Sequence, residues 1–455
     1  MRNKLSFFTF CLILFVVLSG CSAKKKEISD RDKDKPILTV MHMAEDSAPY
    51  VKLQFANIHP EIKIKELYYA SGDPGGNKIK AITDIMSGEG PDILMIRAQE
   101  FPGLHKILKN DVFYDLDVLM EKDKDFNLGD YYPAVMDTGI YAGKRVLLPL
   151  EFNLPLMITS KTFLSENSID ISNKGTTWGE LYQIAKSFKE KEGNKDKYIF
   201  SYDFKFEEMV CASYNDFIDY GKNESYFDSE EFITLLKMYK QVQDCVFTPK
   251  AYENFNSFDQ MEKGKIGIYK LDRTDFLIHA NAIMEQRMGE EIQMLPYPAY
   301  KGQGGVTATV KSVAAININC DKPQAAFDFL KLLLTDRNQN QQSRSLNPYS
   351  ANFYVWGTPV NIKAAQKWLE RDTRKGYIST GQGGEYINVA VLYPLTDRIV
   401  TKANGFLERI NNAYIYDQTI LDIIRAESKD FRLGKASAEE TARNINNKVI
   451  LYLNE

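Results

Sequence analysis

The sequence predicts an α/β fold of two lobes, each a sheet flanked by helices, with hinge crossings between them and a central cleft. Three observations lead to this prediction. The chain has 455 residues, more than a single hydrophobic core usually holds. Strand and helix patterns alternate along its first part, which is typical of a parallel sheet. Residues 145–161 hold two apolar runs around a short polar and aromatic segment.

The segment 145–161 indicates where the lobes join. Its apolar runs are typical of buried strands, and Pro149 and Pro155 each interrupt strand pairing because proline has no backbone N–H to donate. Between the prolines lie a carboxylate, an aromatic ring and an amide: Glu151, Phe152 and Asn153. We expect the chain to leave one lobe and enter the other here, with these side chains on the floor of the cleft. The alternative is a β-hairpin at the edge of a single domain.

The first lobe opens with three strand patterns, at 37–41, 62–67 and 93–96, and helical patterns separate them. In open α/β sheets, ligands gather at the carboxyl ends of the strands. The polar residues that follow these strands are therefore candidates for binding a ligand. They are Glu45, Asp46, Arg97 and Gln99.

The alternation continues in the second half of the chain. The run from Thr177 to Glu180 has the pattern of a capping box, which starts a helix. A strand pattern at 266–269 is followed by Asp272 and Arg273, which become ligand candidates for the same reason as before. Ser437 caps the terminal helix.

The first residues have the pattern of a lipoprotein leader. Arg2 and Lys4 precede an apolar run that is too short for a lasting membrane helix. The run ends in Leu18-Ser19-Gly20-Cys21, which resembles a lipobox, where a cysteine is lipidated and becomes the mature N-terminus. We therefore expect a signal peptide over 1–20, a lipid such as palmitate on Cys21, and a disordered, charged tether over 21–35. The alternative is an ordinary signal peptide with an incidental cysteine.

The composition and the motifs exclude several classes of function. The net charge is −4, and Lys and Arg are scattered among Asp and Glu, so no basic surface for nucleic acid is expected. No catalytic spacing of His and Glu and no Gly-x-Ser-x-Gly turn occurs. Asp123-x-Asp125-x-Asn127 begins like a calcium loop, but Leu128 stands where that loop needs glycine. We expect no catalytic residue, no cofactor and no metal.

Some conspicuous residues are expected to have structural roles. Asp92 is expected to fasten the turn before its strand, and Trp178 is expected to pack in the core. Beyond the leader and the lipidated Cys21, three cysteines remain, and their odd number excludes a fully paired set of disulfides. A Cys211–Cys245 bridge stays open beside buried thiols, which include Cys320.

Five short motifs recur in a specific order along the chain. They are Gly88-x-Gly90-Pro91-Asp92-Ile93, Thr177-Trp178-x-Glu180-Leu181, Phe258 with Gly264-Lys265-Ile266-Gly267-Ile268, Leu295-Pro296-Tyr297-Pro298, and Ala325-Ala326-Phe327-Asp328-Phe329-Leu330. In this order they resemble the motifs of extracellular solute-binding proteins of carbohydrate ABC importers, the maltodextrin-binding-protein superfamily. The resemblance covers nearly all of the chain after the leader.

The resemblance implies a periplasmic-binding-protein-like fold with hinge crossings. It places the crossings at 150–154, near Gly267 and near Ala315. The implied lobes are an N-lobe of 36–150 and 268–314 and a C-lobe of 151–267 and 315–455. The chain departs from the family at Thr159-Ser160-Lys161, where the family has Tyr-Asn-Lys.

The resemblance also implies a function. The candidates for contacting the solute are the polar residues named above together with three aromatic residues, Phe152, Trp356 and Tyr386. The expected protein is a monomer and not an enzyme. It captures a sugar by hinge closure and delivers it to ABC permease subunits. We expect it on the extracellular face of the cytoplasmic membrane of a Gram-positive cell. The alternatives are a different solute such as a peptide or polyamine, a surface enzyme acting on polysaccharide, and a sensor subunit for a membrane kinase.

Overall fold

The structure is a computed structural model that describes residues 35–42, 49–68, 76–98, 101, 103–171, 177–201, 206–211, 213–243, 245–246, 257–271, 277–298, 306–343, 357–370, 377–379, 389–391, 394–415 and 417–455. These residues form the two-lobed α/β fold that the sequence predicts.

The strands follow one another along both lobes. In chain order they are β1 (Ile37–His42), β2 (Lys63–Tyr68), β3 (Ile93–Arg97), β4 (Ile140–Tyr141), β5 (Lys144–Arg145), β6 (Leu148–Asn153), β7 (Leu156–Ser160), β8 (Tyr198–Phe200), β9 (Ile218–Asp219), β10 (Glu224–Ser225), β11 (Ile266–Leu271), β12 (Ile292–Pro296), β13 (Val306–Ile316), β14 (Thr358–Pro359), β15 (Tyr377–Ser379), β16 (Val389–Val391) and β17 (Ile410–Tyr414).

The helices lie between these strands and at the end of the chain. They are α1 (Pro49–Ile58), α2 (Gly76–Met86), α3 (Leu104–Leu108), α4 (Asp117–Met120), α5 (Pro133–Asp137), α6 (Lys161–Glu166), α7 (Trp178–Glu190), α8 (Phe206–Cys211), α9 (Glu230–Gln243), α10 (Ser257–Glu262), α11 (Leu277–Ala280), α12 (Pro323–Leu334), α13 (Asp336–Ser343), α14 (Ile362–Leu369), α15 (Asp397–Leu407), α16 (Gln418–Arg432) and α17 (Ala438–Asn454). A π-helix, Asn281–Arg287, continues α11.

The sheet of the first lobe contains seven of the described strands, in the order β14-β6-β13-β3-β1-β2, with β17 also pairing with β13. β1 runs parallel to both β2 and β3. β13 runs antiparallel to β3 and to β6, so β6 points in the same direction as β3. The carboxyl ends of β1, β2, β3 and β6 therefore share one edge of this sheet.

The sheet of the second lobe has the order β12-β7-β11-β8 among the described strands. β11 is parallel to β8, and β7 is antiparallel to β11 and to β12. The carboxyl ends of β8, β11 and β12 consequently share an edge with the amino end of β7.

Amphipathic helices cover these sheets. α12 buries Ala326, Leu330 and Leu333, which lie on one face because they are spaced four and three residues apart. α7 starts at the predicted capping box, in which Thr177 and Glu180 each bond to the other's backbone N–H. The side chains buried by α12 belong to the core of the first lobe, and those buried by α7 belong to the core of the second.

The strands group differently from the lobe boundaries that the resemblance implies. β11 and β12 pair with β7 in the second lobe, and the chain returns to the first lobe only at β13. It stays there through α12 and β17 and enters the second lobe again after Tyr414. Gly267 does not mark a crossing; it lies inside β11, where a Cβ atom would stand 1.9 Å from the ring of Phe163. Ala315 likewise lies within β13, opposite Leu94.

The predicted break at Pro149 is also absent from the structure. Pro149 lies inside β6, opposite Val313, and the register shifts beside this pair. β14 pairs with β6 only at Glu151 and Phe152, so the other side of β6 has no described partner strand at Pro149. A proline fits such an irregular position, where no ladder hydrogen bond is lost. The strand break occurs instead at Leu154 and Pro155, between β6 and β7.

Within the described residues, no helix is both long and apolar enough to cross a membrane.

Candidate functional site

The two sheets present their carboxyl edges to each other at the crossing from β6 to β7. β6 ends at Asn153 in the first sheet, and β7 begins at Leu156 in the second. In the first sheet the same edge holds Arg97 at the end of β3, and in the second sheet it holds Leu271 and Pro296. Polar groups that follow strands at such an edge converge on a shared cleft, which is where α/β proteins bind ligands.

Many predicted site residues lie outside the described part of the chain. They are Glu45, Asp46, Gln99, Asp272, Arg273, Trp356 and Tyr386. The described strands β1, β3 and β11 lead directly into the segments that hold five of them. Cys21 also lies outside the described residues.

Arg97 and Glu151 lie at the same level of the first sheet, on either side of β13. Both residues are in register with Ser312. Neighbouring strands are about 4.8 Å apart, and Arg97 and Glu151 are two strands apart, so their Cα atoms are separated by about 10 Å. Arg97 is half-buried at the end of its strand, whereas Glu151 is 1% exposed.

The Glu151 carboxylate is engaged with protein donors. The hydroxyl of Ser312 donates to Oε1 over 2.5 Å, and the backbone N–H of Gly357 donates to Oε2. These bonds attach β13 and the start of β14 to β6. Glu151 therefore fixes the backbone immediately after Trp356.

Phe152 and Asn153 are buried beside this carboxylate. Phe152 is fully buried, and its ring meets Tyr132 edge-on with centroids 5.4 Å apart. Burial raises the pKa of Tyr132, so its hydroxyl stays protonated at neutral pH. Asn153 is 7% exposed and lies opposite Thr309. In the described structure, Phe152 packs as a core residue, and Asn153 lies at the point where the chain changes lobes.

Gly357 brings β14 unusually close to β6. A Cβ atom at this position would lie 2.6 Å from the carbonyl oxygen of Phe152 and 3.0 Å from Oδ1 of Asn153. Only glycine allows this approach. Gly357 was not among the predicted residues, although a glycine directly after a candidate aromatic residue was an available signal.

Gln339 and Lys270 were also missed. Gln339 donates from Nε2 to the carbonyl oxygen of Leu150 over 3.0 Å and accepts at Oε1 from the backbone N–H of Asn361 over 2.9 Å. It thus holds the segment after β14 against β6, but it lies in a polar helix with no pattern to reveal it. Lys270 is 4% exposed, one residue from the carboxyl end of β11. One lysine in an otherwise apolar strand was a usable signal for this position.

The places where the chain changes lobes lie side by side. Thr309 of β13 is in register with Asn153 of β6 and with Tyr414 of β17. The Thr309 hydroxyl donates to the phenol oxygen of Tyr414 over 2.8 Å, and both groups are buried. This arrangement forms a narrow waist about which the lobes could rotate.

The residues that depart from the family pattern have structural roles. The Thr159 hydroxyl donates to the carbonyl oxygen of Gly267 over 2.7 Å. Ser160 caps α6, where its hydroxyl accepts from the backbone N–H of Phe163 over 2.9 Å. Lys161 lies 3.3 Å from Glu291. These contacts hold β7 in place and do not require a ligand.

Asp92 and Trp178 both have structural roles, but Asp92 joins the start of β3 to β1 and not the turn before its strand. Asp92 Oδ2 accepts from both the backbone N–H and the hydroxyl of Thr39 over 2.7 Å. Trp178 is fully buried against Tyr297. Burial raises the pKa of the Cys320 thiol to about 11, so this buried cysteine is unreactive at neutral pH.

The described residues contain no cluster of three or more His, Cys, Asp or Glu side chains that could hold a metal ion. Asp123, the first residue of the calcium-like segment, accepts from the backbone N–H groups of Asp125 and Phe126 and lies 2.6 Å from the Lys331 ammonium. Its oxygens therefore close a turn and bind a cation of the chain itself.

Comparison with known proteins identifies the family. The family model described as bacterial extracellular solute-binding protein matches residues 43–340. This chain belongs to that family. The match confirms the resemblance seen in the sequence motifs. It also implies an extracellular or periplasmic location. No curated protein matches the chain significantly.

Solved structures show the same fold as this solute-binding protein. The sugar-binding protein MalE from Xanthomonas citri has 16% identity and a TM-score of 0.64, with 92% of this chain and 97% of that chain covered. The cyclic α-maltosyl-1,6-maltose binding protein of Arthrobacter globiformis has 17% identity and a TM-score of 0.61, with coverages of 92% and 99%. An ABC substrate-binding protein of Listeria monocytogenes, solved with cycloalternan, has 16% identity and a TM-score of 0.57, with coverages of 91% and 98%. The predicted two-lobed binding-protein fold is therefore confirmed.

Proposed function

We propose that this solute-binding protein captures a sugar or oligosaccharide between its lobes and delivers it to the permease of an ABC importer. The observation that carries the proposal is the meeting of the two carboxyl edges at the β6–β7 crossing, beside the waist formed by Thr309 and Tyr414. A solute bound at both edges contacts both lobes and so favours the arrangement in which they approach each other. The sugar ligands of the Xanthomonas, Arthrobacter and Listeria proteins support the choice of solute.

The predicted site residues suit the chemistry of a sugar. Carboxylates and amides accept hydrogen bonds from hydroxyls, arginine donates to ring and hydroxyl oxygens, and aromatic faces stack on the C–H faces of the ring. Burying about 100 Å² of apolar surface gives about 2.5 kcal/mol, and each neutral hydrogen bond adds about 1 kcal/mol. A few such contacts reach micromolar affinity, about −8 kcal/mol, after the costs of association.

The proposal assigns two kinds of role to the predicted residues. The polar residues at or after the strand ends, together with two aromatic residues, are proposed to touch the solute: Glu45, Asp46, Arg97, Gln99, Asn153, Asp272, Arg273, Trp356 and Tyr386. Glu151 and Phe152 are proposed to support them, because both are buried beneath the edge. Glu151 does so by fixing Gly357, which follows Trp356.

The anchor is part of the proposal. Lipidation of Cys21 would hold the protein on the outer face of the cytoplasmic membrane of a Gram-positive cell, near its permease, as a monomer. Replacing Cys21 with Ala should release the protein from the membrane into the medium and abolish labelling by a fatty-acid analogue. Membrane retention and labelling of the Cys21→Ala protein would contradict the anchor while leaving the sugar site untouched.

A thermal-shift screen tests the choice of solute. The chain from Lys35 onward is heated with linear and cyclic glucose oligosaccharides, other sugars, amino acids, peptides and polyamines. A solute at 100 times its dissociation constant adds about 2.7 kcal/mol of stability, which is easily measured. We expect a sugar class to raise the melting temperature. Shifts with peptides or polyamines alone would overturn the choice of a sugar.

A substitution pair locates the site. Arg97→Ala should lower the affinity for the sugar identified in the screen by about tenfold or more, because a charge-assisted hydrogen bond is lost. Arg425→Ala is the matched control, since Arg425 pairs with Asp422 on the exposed face of α16. Turnover of a chromogenic glycoside by the unmodified protein would favour the enzyme alternative instead.

A further inference from the structure

A lysine lies in the middle of β13, the longest of the described strands. Lys311 is the only charged residue of this strand. Every residue of β13 is buried except Thr307 and Lys311, which are half-buried. Lysine is rarely placed inside a sheet, because taking its charge out of water is costly. The position of Lys311 therefore calls for a specific explanation.

Lys311 is the extra residue of a β-bulge. Val310 pairs with Phe152 of β6, and the next pair joins Ser312 to Glu151. The register of the two strands thus skips Lys311. A bulge bends its strand and often re-aims a side chain beside a functional site. The charge therefore lies at the point where β13 has one residue more than β6.

The other side of β13 has a gap between two strands. β3 pairs with β13 as far as Ser312 and ends there at Arg97. β17 pairs with β13 as far as Thr309 and ends there at Tyr414. Because β3 is antiparallel to β13 and β17 is parallel to it, the carboxyl ends of β3 and β17 point towards each other. Among the described strands, none fills the space between these ends beside Lys311. At about 3.3 Å a residue along β13, the gap is about 10 Å long.

Two buried hydrogen bonds fix the borders of the gap. On one border the hydroxyl of Ser312 donates to Oε1 of Glu151 over 2.5 Å, and on the other the hydroxyl of Thr309 donates to the phenol oxygen of Tyr414 over 2.8 Å. All four side chains are buried. Groups that are held in place before a ligand arrives lose little freedom when it binds, which favours affinity. The gap is thus a preformed feature of the first lobe at its carboxyl edge.

We propose that this gap is a subsite of the cleft and that Lys311 is a solute-binding residue, whose ammonium donates to oxygen atoms of the solute beside Arg97. This inference rests on the proposed function, because it takes the carboxyl edge to be the place where the solute binds. An ammonium has three N–H donors, so Lys311 can contact a group of the protein and a solute oxygen together. Lys311 was not among the predicted residues, because it lies inside a strand and not after one.

Substitutions of Lys311 test its contact with the solute. Calorimetry uses the solute that gives the largest thermal shift with the parent protein, whatever its class. Lys311→Met removes the ammonium and keeps an apolar stem, so the affinity should fall by about tenfold or more. Lys311→Arg keeps a charge and N–H donors, so it should retain more affinity than Lys311→Met. Lys429→Met, at an exposed position of α16, is the matched control and should bind as the parent does.

The outcomes separate this inference from the choice of a sugar. If Lys311→Met binds a sugar as tightly as the parent does, the subsite is overturned while sugar capture stands. If the solute is a peptide or a polyamine and Lys311→Met loses it, the subsite is supported and the choice of a sugar is overturned. Equal losses of affinity in Lys311→Met and Lys311→Arg, together with a lower urea midpoint in both, would reduce Lys311 to a structural residue and contradict the inference.

A second measurement tests the subsite even without a known solute. Reductive methylation followed by peptide mass spectrometry reports which lysines are accessible from solution. Lys311 should be methylated in the protein without solute, because it is half-buried at the gap, and exposed Lys429 is the reference. A saturating solute should protect Lys311 and leave Lys429 reactive. If Lys311 stays unmodified without solute while Lys429 reacts, the subsite is overturned whatever the solute is.

Discussion

Thr309 and Tyr414 join two strands of the first lobe at the waist of the molecule. The Thr309 hydroxyl donates to the phenol oxygen of Tyr414 over 2.8 Å, and both residues are buried. Thr309 also lies opposite Asn153, the last residue before the chain passes to β7. One side-chain bond thus connects the strands that enter and leave the second lobe.

This bond is expected to stabilise the waist. Thr309→Val keeps the shape of the side chain and removes its donor, which should lower the free energy of unfolding by about 1 kcal/mol. Tyr414→Phe should cost a similar amount, and the double variant should cost less than the sum, because both remove the same bond. Urea unfolding of the four proteins checks this. Thr162→Val, on the exposed face of α6, should stay within about 0.5 kcal/mol of the parent. Strict additivity of the two waist substitutions would mean that the bond contributes nothing.

Glu151 is expected to tolerate an amide and to resist an apolar replacement. In Glu151→Gln, the amide oxygen can accept from Gly357 while the amide N–H group donates to the Ser312 hydroxyl, so the loss of stability should stay below about 1 kcal/mol. Glu151→Leu leaves both donors buried without an acceptor and should cost about 3 kcal/mol or more. Urea unfolding compares the two. Equal losses would show that charge, and not hydrogen bonding, governs this position.

Gly357 and Gly405 are expected to respond in opposite ways to alanine. Gly357→Ala brings a Cβ atom to 2.6 Å from the Phe152 carbonyl oxygen, so β14 must move away from β6. We expect lower stability and weaker binding of the solute, because the segment after Trp356 is displaced. Gly405 lies inside α15, and a Cβ atom added there would meet no other part of the protein within 4 Å. Gly405→Ala should therefore raise the free energy of unfolding by about 0.5–1 kcal/mol. Unfolding and calorimetry of both variants give the comparison, and unaltered solute binding by Gly357→Ala would contradict the role assigned to β14.

His105 should make the stability depend on pH. Burial lowers the pKa of His105 in the folded protein below the unfolded value of about 6.5. The unfolded chain therefore binds a proton at a higher pH than the folded one, and stability contributed by neutral His105 is full above pH 6.5 and is lost as the pH falls below it. His105→Phe should reduce the loss of stability between neutral and mildly acidic pH. Thermal unfolding of both proteins across this range checks the sign, and identical pH profiles would rule out His105 as the cause.

The sequence predicted the elements that depend on local chemistry. The capping box at Thr177 is visible in a short pattern because its partner, Glu180, is three residues away. The partner of Asp92, by contrast, is Thr39 on β1, which no local pattern reveals. The lobe boundaries depend on which strand pairs with which. The family resemblance implied a crossing near Gly267, but this glycine lies inside β11, where it allows the close approach of Phe163. Pro149 was predicted to interrupt its strand, but it occupies an irregular position in a strand that continues to Asn153.

The candidate site itself remains a prediction. Arg97 was selected because ligands gather at strand ends, and it does lie at the end of β3, at the same edge as Asn153 at the end of β6. The burial of Glu151 could not be foreseen, because its partners Ser312 and Gly357 are far away in sequence and become neighbours only through β13 and β14.

Small-angle X-ray scattering with and without a saturating sugar tests the central claim most directly. The sugar is the one that gives the largest thermal shift, and calorimetry fixes the concentration that saturates the protein. Capture between the lobes predicts a smaller radius of gyration with sugar, and a smaller response for Arg97→Ala at the same sugar concentration. Scattering curves that superimpose while calorimetry shows full occupancy would contradict capture by closure of the two lobes.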